Sequence, residues 1–108
     1  MSNNTSPGKY PFKKTLYQGM KGRDVEVLQM WLDDLNSYYE FRKNKSLSTT
    51  GYFGDETRRF VASFQLFVDL APADGYYDRR THEMLQARYY NYITSINNMV
   101  SGRGAWNR

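Results

Sequence analysis

A short pattern of glycine, tyrosine and threonine occurs twice in the chain, and it constrains the fold more than any other feature. Residues 50–57 read TGYFGDET and residues 74–81 read DGYYDRRT, so the three residue types keep the same spacing. An aromatic residue also follows each tyrosine. Glycine permits turn conformations that other residues avoid, and internal repeats of this kind form equivalent structural units. The sequence therefore predicts two matching units, each a tight turn followed by a helix.

Apolar residues at steps of three and four predict three helices and hence an all-α fold. The predicted ranges are 23–39 for the first helix, 55–69 for the second, and residue 78 or 79 to about 100 for the third. Pro72 is expected to end the second helix, because proline cannot continue a helix and disfavours helical geometry just before itself.

The residues before each predicted helix are suited to capping. Gly22, Gly54 and Asp78 are the predicted N-caps. Thr57 and Thr81 then occupy the third position of their helices, where a hydroxyl can bond back towards the cap.

A chain of 108 residues with 40% hydrophobic content is sufficient for one compact core. Residues 1–15 are rich in serine and asparagine and contain proline and glycine, which predicts a flexible leader. Residues 16–100 form the predicted domain, and residues 101–108 are expected to be a frayed tail.

A second repeat relates the first two helices to each other. VxxLQxxL at residues 25–32 matches VxxFQxxV at residues 61–68, with Gln29 and Gln65 at the same position. Each glutamine follows a large apolar residue. It can bond a backbone group of the facing turn, or it can present its amide to a ligand groove, and the pattern is compatible with both.

Several classes of function are disfavoured by the residues that the chain contains. It has no cysteine, and its one histidine, His82, is expected at the surface. Asp33 and Asp34 are neighbours on a helix and project about 100° apart, which does not suit a pair of catalytic carboxylates. We therefore predict a protein that is not an enzyme and that holds no metal or cofactor.

The net charge is +4, and the basic residues are scattered along the chain. Scattered cations are typical of a solvated surface, whereas a nucleic-acid site needs a concentrated basic stripe. No apolar run approaches the ~20 residues that span a bilayer, and the first residues contain no apolar stretch typical of a signal peptide. We expect neither nucleic acid nor membrane as a partner, and no signal peptide.

The ordered set of motifs resembles the small three-helix peptidoglycan-binding domain, a family found beside the catalytic domains of bacterial and phage cell-wall hydrolases. The motifs are GMKGRDVxxLQxxL from residue 19, TGYFGDxT from residue 50, VxxFQ from residue 61, and DGY from residue 74 with TxxxL from residue 81. The resemblance covers about residues 16–87. The aromatic segment 36–48 and the extension past Tyr89 depart from the family pattern.

The resemblance implies contact with peptidoglycan through aromatic, amide and guanidinium groups. Consecutive residues of an extended turn point in opposite directions, so one aromatic residue of each turn should lie in the core and the other at the surface. The alternative is that these aromatic residues only pack the turns. The predicted contact residues are Tyr52, Arg58, Gln65, Tyr76, Tyr77, Arg80, Gln29 and Tyr39.

Two aromatic segments leave alternatives open. Tyr38, Tyr39 and Phe41 can form one wall of a ligand groove or cover the end of the core. The extended third helix can pack over the first helix and the leader, or it can serve as a docking face for another chain. The predicted docking residues are Tyr89, Tyr92, Ile96 and Met99, with Trp106 as an anchor.

The predicted function is non-catalytic binding of cell-wall peptidoglycan that tethers a phage particle, or a lytic, secretion or injection apparatus, to the wall. Without a signal peptide, the protein is expected to be made in the cytoplasm and to reach the wall through phage, lysis or a secretion machine. The alternative is a structural or adaptor protein that uses the same fold and its C-terminal helix to bind protein partners.

Overall fold

The computed structural model describes the backbone of residues 11–106 and the side chains of residues 11–98. Three helices make up this part of the chain: α1 (Arg23–Tyr39), α2 (Asp55–Phe67) and α3 (Arg79–Trp106). Two isolated antiparallel bridges join the segment before α1 to the turns that precede α2 and α3. The predicted all-α fold with three helices is confirmed, and α1 has the predicted bounds.

The C-terminus of α2 comes slightly before the predicted one and has a different cause. Asp69 has a left-handed backbone with φ of 59°. Its N–H donates to the carbonyl of Leu66 at 3.1 Å, and the N–H of Leu70 donates to the carbonyl of Gln65 at 2.8 Å. These two bonds form a Schellman motif, which ends the helix upstream of Pro72.

The C-terminus of α3 lies beyond the predicted position near Val100, since the helix continues to Trp106. Gly102 and Gly104 fall in these last turns. A glycine costs a helix about 1 kcal/mol but leaves its hydrogen bonds possible, whereas proline removes one. The helix therefore enters the segment predicted to be frayed. Residues 1–10 of the predicted leader and residues 107–108 lie outside the described residues.

The core is built from the apolar faces of all three helices. Leu28 and Leu32 of α1, Phe60 and Phe64 of α2, and Leu85 of α3 are all fully buried. These are the positions that the helical periodicity assigns to the inner faces. Burial of such side chains contributes roughly 1.5–3 kcal/mol each, which makes this cluster the main source of stability.

Helices α3 and α1 pack side by side and run parallel from N-terminus to C-terminus. The Tyr89 hydroxyl donates to Oδ2 of Asp34 at 2.9 Å. One helical turn further on, the rings of Tyr92 and Tyr38 lie 5.2 Å apart between centroids. The interpretation in which α3 covers α1 is therefore confirmed for these two tyrosines, and Tyr89 is too buried to dock another chain.

The rest of the predicted docking stripe continues along α3. Ile96 is half-buried. The side chains of Met99 and Trp106 lie outside the described residues.

A short segment before α1 joins the two repeated turns. Leu16 and Tyr77 exchange backbone hydrogen bonds of 3.1 and 2.8 Å. Further along the same segment, Gly19 donates to the carbonyl of Phe53 at 2.8 Å and Gly22 donates to that of Gly51 at 2.9 Å. We call residues 16–22 the bridging segment, because it fixes both turns against the N-terminal end of α1.

The contact between Asp34 and Tyr89 gives a prediction about pH. Burial raises the pKa of Asp34, the Tyr89 hydrogen bond opposes this rise, and the neighbouring Asp33 carboxylate adds to it. A carboxyl whose pKa is raised on folding stabilises the fold when protonated, and this contribution is lost as the pH rises through the folded-state pKa. Asp34→Asn keeps an acceptor for Tyr89 without the charge. Its melting temperature should exceed that of the wild type at pH 7 and match it at about pH 3, below the usual carboxyl range.

Thermal unfolding followed by circular dichroism at both pH values tests this expectation. A variant that melts at or below the wild-type temperature at pH 7 contradicts it.

Candidate functional site

The Gln29 side chain satisfies the backbone of the first repeated turn. Its Oε1 accepts hydrogen bonds from the N–H groups of Thr50 and Gly51, both at 2.8 Å. Its Nε2 donates to the Tyr52 carbonyl at 2.9 Å and to the Thr57 hydroxyl at 3.0 Å. Only 1% of Gln29 is exposed, and both ends of its amide are used.

Gln65 repeats this arrangement on the second turn. Its Oε1 accepts from the N–H of Gly75 at 2.9 Å, and its Nε2 donates to the Tyr76 carbonyl at 2.9 Å and the Thr81 hydroxyl at 2.8 Å. Asp74 stands where the first turn has threonine, and its Oδ1 accepts from the N–H of Tyr76 at 3.1 Å. Gln65 is fully buried.

We call each glutamine, with the turn and the threonine that it bonds, a glutamine clamp. The prediction of two matching units is confirmed, and so is the interpretation in which the glutamine bonds the facing turn. The other interpretation, that Gln29 and Gln65 present their amides to a ligand, is wrong for this structure because neither amide reaches the surface. Thr57 and Thr81 accept hydrogen bonds from the glutamines, a role that capping analysis does not suggest. The predicted cap is confirmed for Thr81, whose hydroxyl and backbone N–H both donate to Oδ1 of Asp78, at 2.7 and 3.0 Å.

Each clamp turns one aromatic ring inward and the other outward, as predicted. Phe53 is 0% and Tyr77 3% exposed, whereas Tyr52 is 48% and Tyr76 49% exposed. The prediction that places Tyr77 among the outward contact residues is therefore wrong. Its hydroxyl is hydrogen-bonded to Nδ1 of His82, and burial raises the pKa of Tyr77 well above its ordinary value.

His82 is buried, so its predicted surface position is also wrong. Its ring lies 5.5 Å from that of Phe12, 6.1 Å from that of Trp31 and 5.6 Å from that of Tyr77, between centroids. The first turn of α3 packs against both α1 and the chain before the bridging segment. Sequence periodicity does not reveal this contact, because it depends on residues far apart in the chain.

The outward tyrosines are joined by one that the sequence analysis missed. Tyr17 is 46% exposed, and its ring lies 5.6 Å from that of Tyr76 between centroids. The alternation of side chains along the bridging segment places Tyr17 outward, because its neighbour Leu16 points into the core. We call Tyr17, Tyr52 and Tyr76 the tyrosine surface.

Arg58 connects the two turns. It lies on α2, directly after the first turn, and its aliphatic stem covers Gly75 of the second turn. A Cβ atom placed on Gly75 would lie 2.5 Å from Cγ of Arg58. The guanidinium bonds Asp55 at 3.3 Å, and the Arg58 side chain stays 40% exposed. The predicted contact residue Arg58 is therefore accessible beside the second turn.

Arg80 has a different role from the predicted one. Its Nε donates to Asp78 at 3.0 Å, its Nη1 to the carbonyl of Ala71 at 2.8 Å, and its Nη2 to that of Pro72 at 3.5 Å. The three nitrogens of its guanidinium thus hold the loop between α2 and α3. This use leaves Arg80 less suited than Arg58 to pair with a carboxylate of a ligand.

The aromatic residues after α1 cover the end of the core, which decides between the two alternatives. The Phe41 ring lies 5.6 Å from that of Phe64 and 5.8 Å from that of Phe67 between centroids. Tyr39 donates from its hydroxyl to the carbonyl of Arg88 at 3.3 Å. Tyr39 thus lies at the C-terminal end of α1, whereas the tyrosine surface adjoins its N-terminal end.

An open groove lies beside Tyr52, between the loop 46–50 and the start of α2. Its volume is about 390 Å³. The ring of Tyr52 folds over Gly54, where an added Cβ would be 3.0 Å from Cε2 of the ring. Hydrogen bonds from Arg59 and Arg58 lower the pKa of Asp55, which lines the groove in its ionised form at neutral pH. The groove therefore offers one aromatic wall and a polar, hydrogen-bonding floor.

Comparison with known proteins assigns this arrangement to a family. The family model described as "Putative peptidoglycan binding domain" matches residues 21–85, which include both glutamine clamps. The chain belongs to the peptidoglycan-binding domain family. The family resemblance inferred from the motifs is confirmed. The matched range ends within α3, so most of that helix lies beyond the matched residues.

A solved structure also resembles this peptidoglycan-binding domain. It is a periplasmic domain of the EpsAB fusion protein of the Vibrio vulnificus type II secretion system, with a TM-score of 0.54 and 28% sequence identity. The similarity covers 75% of the present chain and 31% of that chain. Comparison with curated proteins gives no match.

Two kinds of feature are missing from the described part of the domain. Within it, no group of three or more histidine, cysteine, aspartate or glutamate residues could hold a metal ion. None of the helices, over the residues described, is long and apolar enough to cross a membrane.

The glutamine clamp predicts a large effect of a single substitution. Gln65→Leu leaves the buried groups that bond Gln65 without partners, so the free energy of unfolding should fall by about 2–4 kcal/mol. Gln86→Leu is the control, because Gln86 makes no side-chain hydrogen bond within residues 11–98 and should change stability by under about 1 kcal/mol. Urea unfolding measures both. Equal losses of unfolding free energy in the two variants would show that the hydrogen bonds of Gln65 contribute no more to stability than the side chain of Gln86 does.

The close contact between Arg58 and Gly75 gives another prediction. Gly75 and Gly19 both have positive φ angles, of 84° and 105°, but a Cβ atom on Gly19 meets nothing within 4 Å. Gly19→Ala should therefore show backbone strain alone, about 1–3 kcal/mol, and Gly75→Ala backbone strain plus displacement of Arg58. Chemical denaturation should rank Gly75→Ala as clearly the less stable variant. The reverse order would contradict the contact.

Proposed function

We propose that this domain binds peptidoglycan without catalysis, and that the tyrosine surface and Arg58 make the contact. The observation that carries the proposal is the outward position of Tyr17, Tyr52 and Tyr76, each nearly half exposed, in a domain of the peptidoglycan-binding family. Exposed tyrosines held by a rigid backbone are suited to recognition, because each presents a flat apolar ring with a polar hydroxyl.

The chemistry of this surface matches that of the cell-wall polymer. Tyrosine rings pack against the apolar faces of sugars and against methyl groups of the stem peptides. Arg58 can pair with a stem-peptide carboxylate in the bidentate geometry that guanidinium groups favour. The glutamine clamps keep both turns in place before binding, which reduces the entropy lost on association. A shallow surface of this size supports modest affinity for each contact.

The positions of the chemically active side chains support a binding role. Asp34 bonds the Tyr89 hydroxyl, and Oδ1 of Asp33 accepts the backbone N–H of Leu47 at 2.9 Å. His82 is bonded to Tyr77 inside the domain. These groups serve the fold, and none of them faces the tyrosine surface.

Attachment to a larger assembly is the second part of the proposal. The 28 residues of α3 span about 42 Å and the 17 residues of α1 about 26 Å. Tyr90 and Ile93, in the long helix, are 72% and 39% exposed. We propose that this part of α3 attaches the domain to a phage particle or to a lytic, secretion or injection apparatus acting at the wall. The periplasmic domain of the secretion protein, which has a similar fold, is consistent with such a place of action.

The exposed residues of α3 also support the alternative, an adaptor that binds only protein. Binding to purified peptidoglycan sacculi separates the two functions. An adaptor leaves the sacculi unbound and forms a defined complex or oligomer through α3, which size-exclusion chromatography with light scattering detects.

The wall-binding proposal predicts the effect of removing the tyrosine rings. Tyr52→Ala and Tyr76→Ala should each weaken retention on sacculi several-fold, because each loses an exposed aromatic contact of about 1 kcal/mol. Tyr90→Ala is the matched control, since it removes a tyrosine that is 72% exposed on α3. Sedimentation with sacculi at graded protein concentrations measures the change. Unchanged retention of the Tyr52 and Tyr76 variants would refute the proposed surface.

A further inference from the structure

Two adjoining depressions lie at the N-terminal end of α1, and they share Lys14, Leu16 and Asp24 in their walls. The smaller has a volume of about 30 Å³, enough for a group the size of a water molecule or a methyl, and its wall includes Trp31 and Tyr77. The larger has a volume of about 190 Å³ and a basic rim. A small apolar cavity thus stands next to a cationic groove.

The cations of the larger depression are not equivalent. Arg23 is paired with Glu26 at 2.9 Å, so its charge is already compensated. Lys14 and Lys21 are exposed, and neither ammonium group has an ion-pair partner within the described part of the chain. Asp24 is the one carboxylate among the described residues that line this depression. Lys14 and Lys21 therefore offer two positive charges outside ion pairs. Together with the one carboxylate of Asp24, they leave the described lining with a net positive charge that suits an anion.

The two depressions adjoin the tyrosine surface. Lys21 lies directly opposite Tyr52 in an antiparallel bridge, and paired residues of such a bridge place their side chains on the same face. Leu16, in the shared wall, immediately precedes Tyr17. A ligand lying on the tyrosines can therefore extend into the depressions without crossing the domain.

We propose that these depressions hold a small aliphatic residue that carries a free carboxylate, such as the alanine end of a peptidoglycan stem peptide. The methyl group would occupy the smaller cavity against Trp31, and the carboxylate would lie between the ammonium groups of Lys14 and Lys21. This inference rests on the proposed function, and it specifies which part of the peptidoglycan the domain recognises. A glycan chain without a peptide carboxylate would gain nothing from the two lysines.

A pair of synthetic stem peptides tests the assignment, one with a free carboxylate on its terminal D-alanine and one with that carboxyl group amidated. The full chain should bind the free acid more tightly than the amide. The double variant K14Q/K21Q should bind the free acid roughly three- to tenfold more weakly than the wild type, and should no longer distinguish it from the amide. Isothermal titration calorimetry at low and physiological salt measures these affinities.

The matched control is K43Q/K45Q, which removes the same charge from the exposed loop after α1. It should bind both peptides as the wild type does, which separates a local contact from the effect of net charge. Equal binding of acid and amide by the wild type, or equal losses in both double variants, overturns the carboxylate assignment.

Retention of the wild type on sacculi in the same experiments shows whether the wall-binding function stands independently of this assignment. If sacculi retain the wild type and K14Q/K21Q equally while acid and amide bind alike, the assignment fails and the wall function remains. If sacculi fail to retain the wild type, the proposed function itself fails.

Discussion

The buried amides of Gln29 and Gln65 are the interaction on which the remaining structure depends. Each repeated turn directs backbone N–H and carbonyl groups towards the buried side chain of its glutamine. A glutamine amide supplies an acceptor at one end and two donor hydrogens at the other, so one side chain satisfies both kinds of group. Because an unsatisfied buried polar group costs about 1–3 kcal/mol, the clamps fix the conformation of the turns as well as their position.

Fixing the turns also decides which aromatic rings can meet a ligand. With the backbone of each turn held by its glutamine, Phe53 and Tyr77 enter the core, and Tyr52 and Tyr76 must face outward. The bridging segment between the turns then adds Tyr17 beside Tyr76. The surface proposed to bind the wall thus results directly from the hydrogen bonds by which the buried glutamines hold the two turns.

The two ends of α1 serve different purposes. The turns, the bridging segment and the basic depression meet at its N-terminal end. Tyr39 and Phe41 close the core at the other end, where Arg88 of α3 lies 4.9 Å from the centre of the Phe67 ring. In the proposed function, the polymer would be bound at one end of the domain and α3 would connect to another structure. The separation of these two surfaces leaves room for both contacts.

The sequence by itself determined the three helices, the caps, the two matching units and the inward and outward aromatic residues, because these depend on spacing within short segments. Only the tertiary structure decided that Gln29 and Gln65 serve the turns, that Tyr77 and His82 are buried together, and that Arg80 holds a loop. It also revealed Tyr17 and the lysine-lined depression. Each of these features depends on contacts between segments that are far apart in the chain. The spacing of residues within one helix or turn does not show which other segment will pack against it.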